Sequence, residues 1–172
     1  MIVLQGARER VEVLQFSPDG RTLVAPSSGR VQVWDKLTAG GQPRVALPYH
    51  DIWSVRFTPD GRQLLLGGSR RAVIHDLPTG EAAEVPLDPG EWEEYCDEVY
   101  CDLIPDGRFL VAAHQVTTPE ERTSRLLCRS VANPASPVWF LNTPRLVYSP
   151  PLFLTGGERF VVFEWWSELP PY

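Results

Sequence analysis

A chain of 172 residues is the length of one domain, and a hydrophobic share of 43% is enough for a packed core. The net charge is −6 and the densest basic spot is the Arg70 and Arg71 pair, which excludes a phosphate-tracking basic stripe and hence nucleic acid as a partner. Residues 1–20 carry no basic-then-apolar leader, no apolar run nears the roughly 20 residues of a membrane helix, and the odd trio Cys96, Cys101 and Cys128 is no disulfide framework, so a cytoplasmic location without membrane contact is expected.

The thirteen glycines and seventeen prolines are spaced rather than clustered, and so punctuate many short elements. Val11, Val13 and Leu14 lead to Phe16 in an alternating stretch that predicts a strand. Pro18, Asp19 and Gly20 then predict a tight turn: proline presets φ, aspartate caps its own backbone and glycine accepts positive φ. A second strand is expected at 23–25, a polar turn at 27–29, a third strand at 31–34, a turn at 38–40 and a fourth strand at 45–47. The same grammar restarts with Ile52, Val55 and Phe57. Pro59, Asp60 and Gly61 make the turn, strands follow at 64–66, 72–75 and 85–87, and turns fall at 67–69 and 78–80. A third round runs through Val99, Cys101 and Leu103, a turn at 105–107, a strand at 110–113, a widened connection at 115–124 and a last strand at 138–141. A fourth, weaker round is FLTGGERFVV at 153–162, with a strand at 160–163; Pro150 and Pro151 stand where its inner strand should run, and proline cannot donate to a ladder. No segment sustains a 3.6-residue period, so no helix is expected.

The rounds are copies in register. FSPDGRTLV at 16–24 and FTPDGRQLL at 57–65 lie 41 residues apart, as do Trp34 with Asp35 and His75 with Asp76. IPDGRFLV at 104–111 follows at an offset of 46, and the fourth copy at an offset of 50. Four short antiparallel strands in about 40 to 45 residues is the period of a β-propeller blade. The expected fold is therefore all-β, one domain over 1–172, with units at about 8–47, 48–87, 96–141 and 146–166 and the last incomplete. Such a ring is incomplete or open, since propellers hold about 4 to 8 blades. It is completed by another chain, by a longer protein or by nothing, and its open blade edges invite self-association.

Trp34 and Asp35 at the end of a third strand, and His50 25 residues before His75, resemble the WD-repeat β-propeller family over about residues 8–165. The Ser-Pro-Asp-Gly turn is shared with TolB-like and peptidase-associated propellers. The resemblance implies a buried hydrogen-bond network of histidine, aspartate, Ser/Thr and tryptophan in each blade. Here Ser28 and Ser69 hold the aspartate position, His75 a tryptophan position, and Glu9 and Cys96 a histidine position, so no unit carries the full set. The resemblance also implies a protein-interaction scaffold rather than an enzyme.

Residue chemistry points the same way. No G-x-S-x-G elbow presents a nucleophile; residues 67–69, Gly-Gly-Ser, are the nearest match and read as an inter-strand turn. Cys96 and Cys101, with His114 and Cys128 downstream, lack the C-x₂-C spacing of a zinc site, and the repeat puts Cys101 at the core position of Val55. No phosphate-cradling glycine motif occurs. No catalytic residue, metal or cofactor is expected. The contact expected for a protein partner is Trp92, Glu93, Glu94 and Tyr95, an acidic and aromatic stretch in the long link between the second and third units; the alternative is that Trp92 folds back on its own blade. Trp165 and Trp166, with Pro170, Pro171 and Tyr172, form a second aromatic segment. Two further readings stand beside the scaffold: a regulatory or substrate-gating propeller portion of a larger enzyme, and a decayed repeat remnant.

Overall fold

The computed structural model describes residues 4, 11, 13–27, 29–35, 37–38, 40–69, 71–87, 99–117, 122–135, 137–143, 146–147, 149–153, 159–161 and 164–165. Among these there are strands and turns but no helix. The first sheet has the order β1 (Gln15–Phe16), β2 (Leu23–Ser27), β3 (Arg30–Trp34), β4 (Val45–Leu47). The second runs β5 (Ile52–Phe57), β6 (Gln63–Gly68), β7 (Arg71–Asp76), β8 (Ala82–Val85), and the third β9 (Val99–Leu103), β10 (Phe109–Thr117), β11 (Arg122–Ser130), β12 (Pro137–Thr143). Every neighbouring pair is antiparallel, so each sheet is a four-stranded meander.

Local chemistry fixes the first hairpin of each sheet. Gly20, Gly61 and Gly107 take φ of 69°, 71° and 73°, the left-handed region glycine enters without a Cβ clash. The Asp19 carboxylate accepts the Ser17 hydroxyl at 2.6 Å and the Arg21 amide at 3.0 Å; Asp60 does the same with Thr58 and Arg62. These hydrogen bonds, the hydroxyl first, hold both carboxyls below the ordinary range. Ile104 replaces the hydroxyl residue in the third turn, where Asp106 keeps only the Arg108 amide and side chain.

Register repeats with the sequence offsets. Gln15 pairs Val24, Arg56 pairs Leu65, Asp102 pairs Val111 and Leu152 pairs Val161, spacings of 41, 46 and 50. Alternation then gives each sheet two apolar faces. Val24, Val31 and Val33 of the first sheet pack on Val55, Phe57, Leu64, Leu66 and Val73 of the second. The opposite face of the second sheet, Leu65, Ala72, Ile74 and Val85, packs on Cys101, Leu103, Leu110, Ala112 and Leu127 of the third. Each fully buried leucine or valine contributes roughly 1.5–3 kcal/mol of transfer free energy, so the sheets cohere face to face. The first strands approach one another in turn, β1 against β5 and β5 against β9, which makes them the inner strands of adjacent blades.

Several sequence expectations change in the structure. The connection expected at 115–124 is strand at both ends, with 115–117 in β10 and 122–124 in β11, paired to each other. The fourth strand of the second blade is Ala82–Val85 rather than 85–87. The preceding turn is tight because Asp76 accepts the Thr79 amide at 2.9 Å on its side chain and the Gly80 amide at 2.8 Å on its carbonyl, so the strand begins earlier. Gly67 and Gly68 lie inside β6 rather than in a turn. A Cβ on Gly67 would meet Cys101 Sγ and Ser54 Oγ, each at 2.5 Å, so the third blade can seat there only over glycine. The fourth unit is a hairpin split in two: β13 (Leu146–Val147) pairs β16 (Glu164–Trp165), and β14 (Leu152–Phe153) pairs β15 (Phe160–Val161). The register slips by two residues between the halves, where Pro150 and Pro151 remove two ladder donors.

Candidate interaction site

Trp92, Glu93, Glu94 and Tyr95 lie outside the described residues, as do Cys96, Trp166 and the segment 166–172. The ends of the link that carries the four are well placed. Leu87 packs on the core between the second and third blades, and Val99 is fully buried there. In an antiparallel meander, the links between blades and the turns between second and third strands share one end of the blades. Leu87 and Val99, which flank residues 88–98, thus lie at the blade end toward which the β10–β11 hairpin extends. That hairpin is paired over nine residue pairs, from Phe109 with Ser130 to Thr117 with Arg122, and outruns β9, which stops at Val99 opposite His114. It is buttressed at its far end, where Ser124 Oγ accepts the Val147 amide at 2.9 Å. Asp51, with φ of 52°, marks the same end of the second blade, and its carbonyl accepts the Ser69 amide at 2.9 Å.

The structure adds a polar ladder across the inner strands that the sequence reading missed. Arg56 Nε donates to Asp102 Oδ1 at 2.9 Å, and Arg56 Nη1 reaches Gln15 Oε1 at 3.4 Å. The three residues are repeat equivalents, each directly before the residue that opens its turn segment; that shared position was the available signal. Burial pushes the Asp102 carboxyl up while Arg56 pulls it back. In the fourth unit Leu152 holds the position and the polar series ends. Committed to each other, Arg56 and Asp102 tie blades together and offer no free acid or base.

The network expected at the blade rim takes another form. His50 is exposed, while its neighbour Tyr49 turns inward and its hydroxyl lies 3.1 Å from His75 Nδ1, with the rings edge to face at 5.8 Å. Trp34 is buried among Leu23, Ala25, Leu4, Val11 and Leu37. Cys101 is a core residue whose amide donates to Ser54 Oγ at 3.1 Å, and burial pushes its thiol up to about 12. Such a thiol stays protonated and unreactive.

Four-stranded antiparallel sheets stacked face to face, with their first strands in contact, define a β-propeller. The family described as WD40, WD domain, G-beta repeat, matches residues 1–35, which end in the first blade. A solved structure with the same fold is the β-propeller domain of Cps50 (Swd1) from Myceliophteria thermophila. It superposes with a TM-score of 0.73 at 15% identity, over 94% of this chain and 53% of that one. The chain thus spans about half the length of the propeller it matches. No curated protein matches the sequence.

Proposed function

We propose that the chain is a non-catalytic scaffold, working in the cytoplasm, that binds a protein partner at the blade end carrying link 88–98. The observation that supports this is the pairing of a rigid, two-sided blade core with a long acidic and aromatic link whose two ends, Leu87 and Val99, are held by that core. A partner would meet Trp92 and Tyr95 as anchors with Glu93 and Glu94 around them; aromatic side chains give much contact area at little entropy cost. The test is a photo-crosslinking side chain at position 92 and, as control, at exposed Glu81 on the opposite end of the second blade. A discrete crosslinked protein from position 92, absent from position 81 and lost on competition by the unmodified chain but not by Trp92→Ala, is the expected result. Equal capture from both positions, or equal competition by Trp92→Ala, removes the reading. Self-association is a second contact in the same scaffold reading, favoured by the exposure of Leu14 and Phe16 on the first blade.

A further inference from the structure

The two ends of the blade stack expose apolar side chains, and the positions of Leu14, Phe16 and Val161 are buried inside the stack. Leu14 and Phe16 are 59% and 53% exposed, whereas their repeat equivalents are covered by the preceding blade: Val55 and Cys101 at 0% and 1%, Phe57 and Leu103 both at 8%. On the last unit, Leu152 and Val161 pair across a hairpin and are 45% and 42% exposed, whereas Val24, Leu65 and Val111, the equivalents of Val161, are at most 1% exposed. Leu14 and Phe16 lie on the face that looks to a preceding blade, Leu152 and Val161 on the face that looks to a following one.

The turns carry an independent mark of the same vacancy. Pro18 of the first turn lies over Gly61 of the second, its Cδ 3.6 Å from where a Cβ would stand, and Pro59 of the second turn lies over Gly107 of the third. Gly20 is the equivalent glycine of the first blade, and nothing lies within 4 Å of its Cβ position. The first blade therefore presents a socket shaped for the turn of one more blade.

We infer that a second copy of this chain covers both faces, head to tail, so that two chains close one ring of eight blade units. This deepens the self-association contact proposed above and assigns it to blade faces. The occupant follows from the repeat: the surface that fits behind Leu14 and Phe16 is a following-type face, and Leu152 with Val161 is such a face on the same chain. The interface is the one already formed between the first and second sheets and between the second and third. One chain spans about half of the matched propeller, so two span a whole one, at the upper end of the usual 4 to 8 blades. A head-to-tail contact ends in a ring when the rotation closes, here with two copies and two identical interfaces.

The experiment is molar mass by light scattering across a concentration series, on the intact chain and on Phe16→Glu and Val161→Glu. Both positions are exposed, so a cooperative melting transition, lowered only by the lost association, checks that each variant still folds. The intact chain should be a dimer. Each variant alone should weaken the dimer by about 100-fold or more, because either one places a charge in both interfaces. An equimolar mixture should recover a dimer, since it restores one interface free of either charge. A monomer at every concentration, open-ended larger assemblies, or a dimer indifferent to Val161→Glu would each overturn the inference. Neither result touches the link 88–98, so the partner-binding reading stands or falls separately.

Discussion

At Gly67 the space for a side chain is taken by Cys101 and Ser54 of the blade interface. Gly67→Ala should therefore cost about 1–3 kcal/mol through overpacking. Gly40 has open space around it, so Gly40→Ala should cost about 1–2 kcal/mol from its φ of 75° alone. In Gly67→Ala the loss should come with a disturbed interface: urea unfolding gives the two energies, and only Gly67→Ala should make Cys101 accessible to a thiol reagent. Tyr49 and His75 form the second residue-scale prediction. Burial lowers the His75 pKa below its ordinary 6.5, so the unfolded chain binds more protons in the interval just below that value. Stability from this site is full above about pH 6.5 and falls as pH drops through the folded pKa. His75→Gln should flatten that part of the stability profile, and Tyr49→Phe should lower stability by about 1 kcal/mol at pH 7.5. The turn glycines and their aspartate caps were legible in the sequence because each acts within four residues. The exchange of His50 for Tyr49 was not, since it depends on which neighbour faces the core.

Between elements, the Arg56 and Asp102 pair joins β5 to β9 with both side chains partly shielded, 27% and 13% exposed. Removing the arginine leaves a shielded carboxylate uncompensated, while removing the carboxylate leaves the better-exposed partner. Arg56→Leu should thus cost about 1–3 kcal/mol at pH 7 and Asp102→Asn less, a reduced version of the penalty for splitting a fully buried pair. The Asp102 pKa is raised, so its ionisation opposes folding, and stability at this site falls as pH rises from about 3.8 through the folded pKa. Without Arg56 the folded pKa rises further, so Arg56→Leu should recover part of its loss on acidification to pH 5; urea midpoints at the two pH values check this. The break at Pro150 and Pro151 in the fourth unit was legible, because both lack the amide donors a ladder needs; the second pairing beyond it, Leu146 with Trp165, was not. The start of β8 was not: it is set by how tightly Asp76 closes its turn, and the strand residues Ala82, Ala83 and Glu84 carry no apolar alternation.

Across the whole molecule, sheets that contact only their neighbours make stability nearly one-dimensional, as in repeat proteins. The second blade has both faces covered in continuous cores, whereas the first leaves Leu14 and Phe16 exposed and the fourth unit Leu152 and Val161. Native-state amide exchange should therefore be slowest in β6 and β7 and fastest in β14 and β15, with β1 intermediate. Dimer formation should slow β1 and β14 together. The fold class was readable from the chain alone because the repeat writes it locally: alternating strands, a turn of fixed chemistry, and offsets of 41, 46 and 50 that reappear as the pairing register. The WD40 match of residues 1–35 was readable from Trp34, Asp35 and the period. What only the tertiary structure decided was which equivalent residues meet across blades. Gln15, Arg56 and Asp102 become a ladder, Gly67 becomes the seat of the third blade, and Leu14 and Phe16 become surface. Each of those outcomes depends on whether a neighbouring sheet is present and which way it faces. Strand periodicity determines two faces for every blade, but only the packing of blade on blade determines what each face meets.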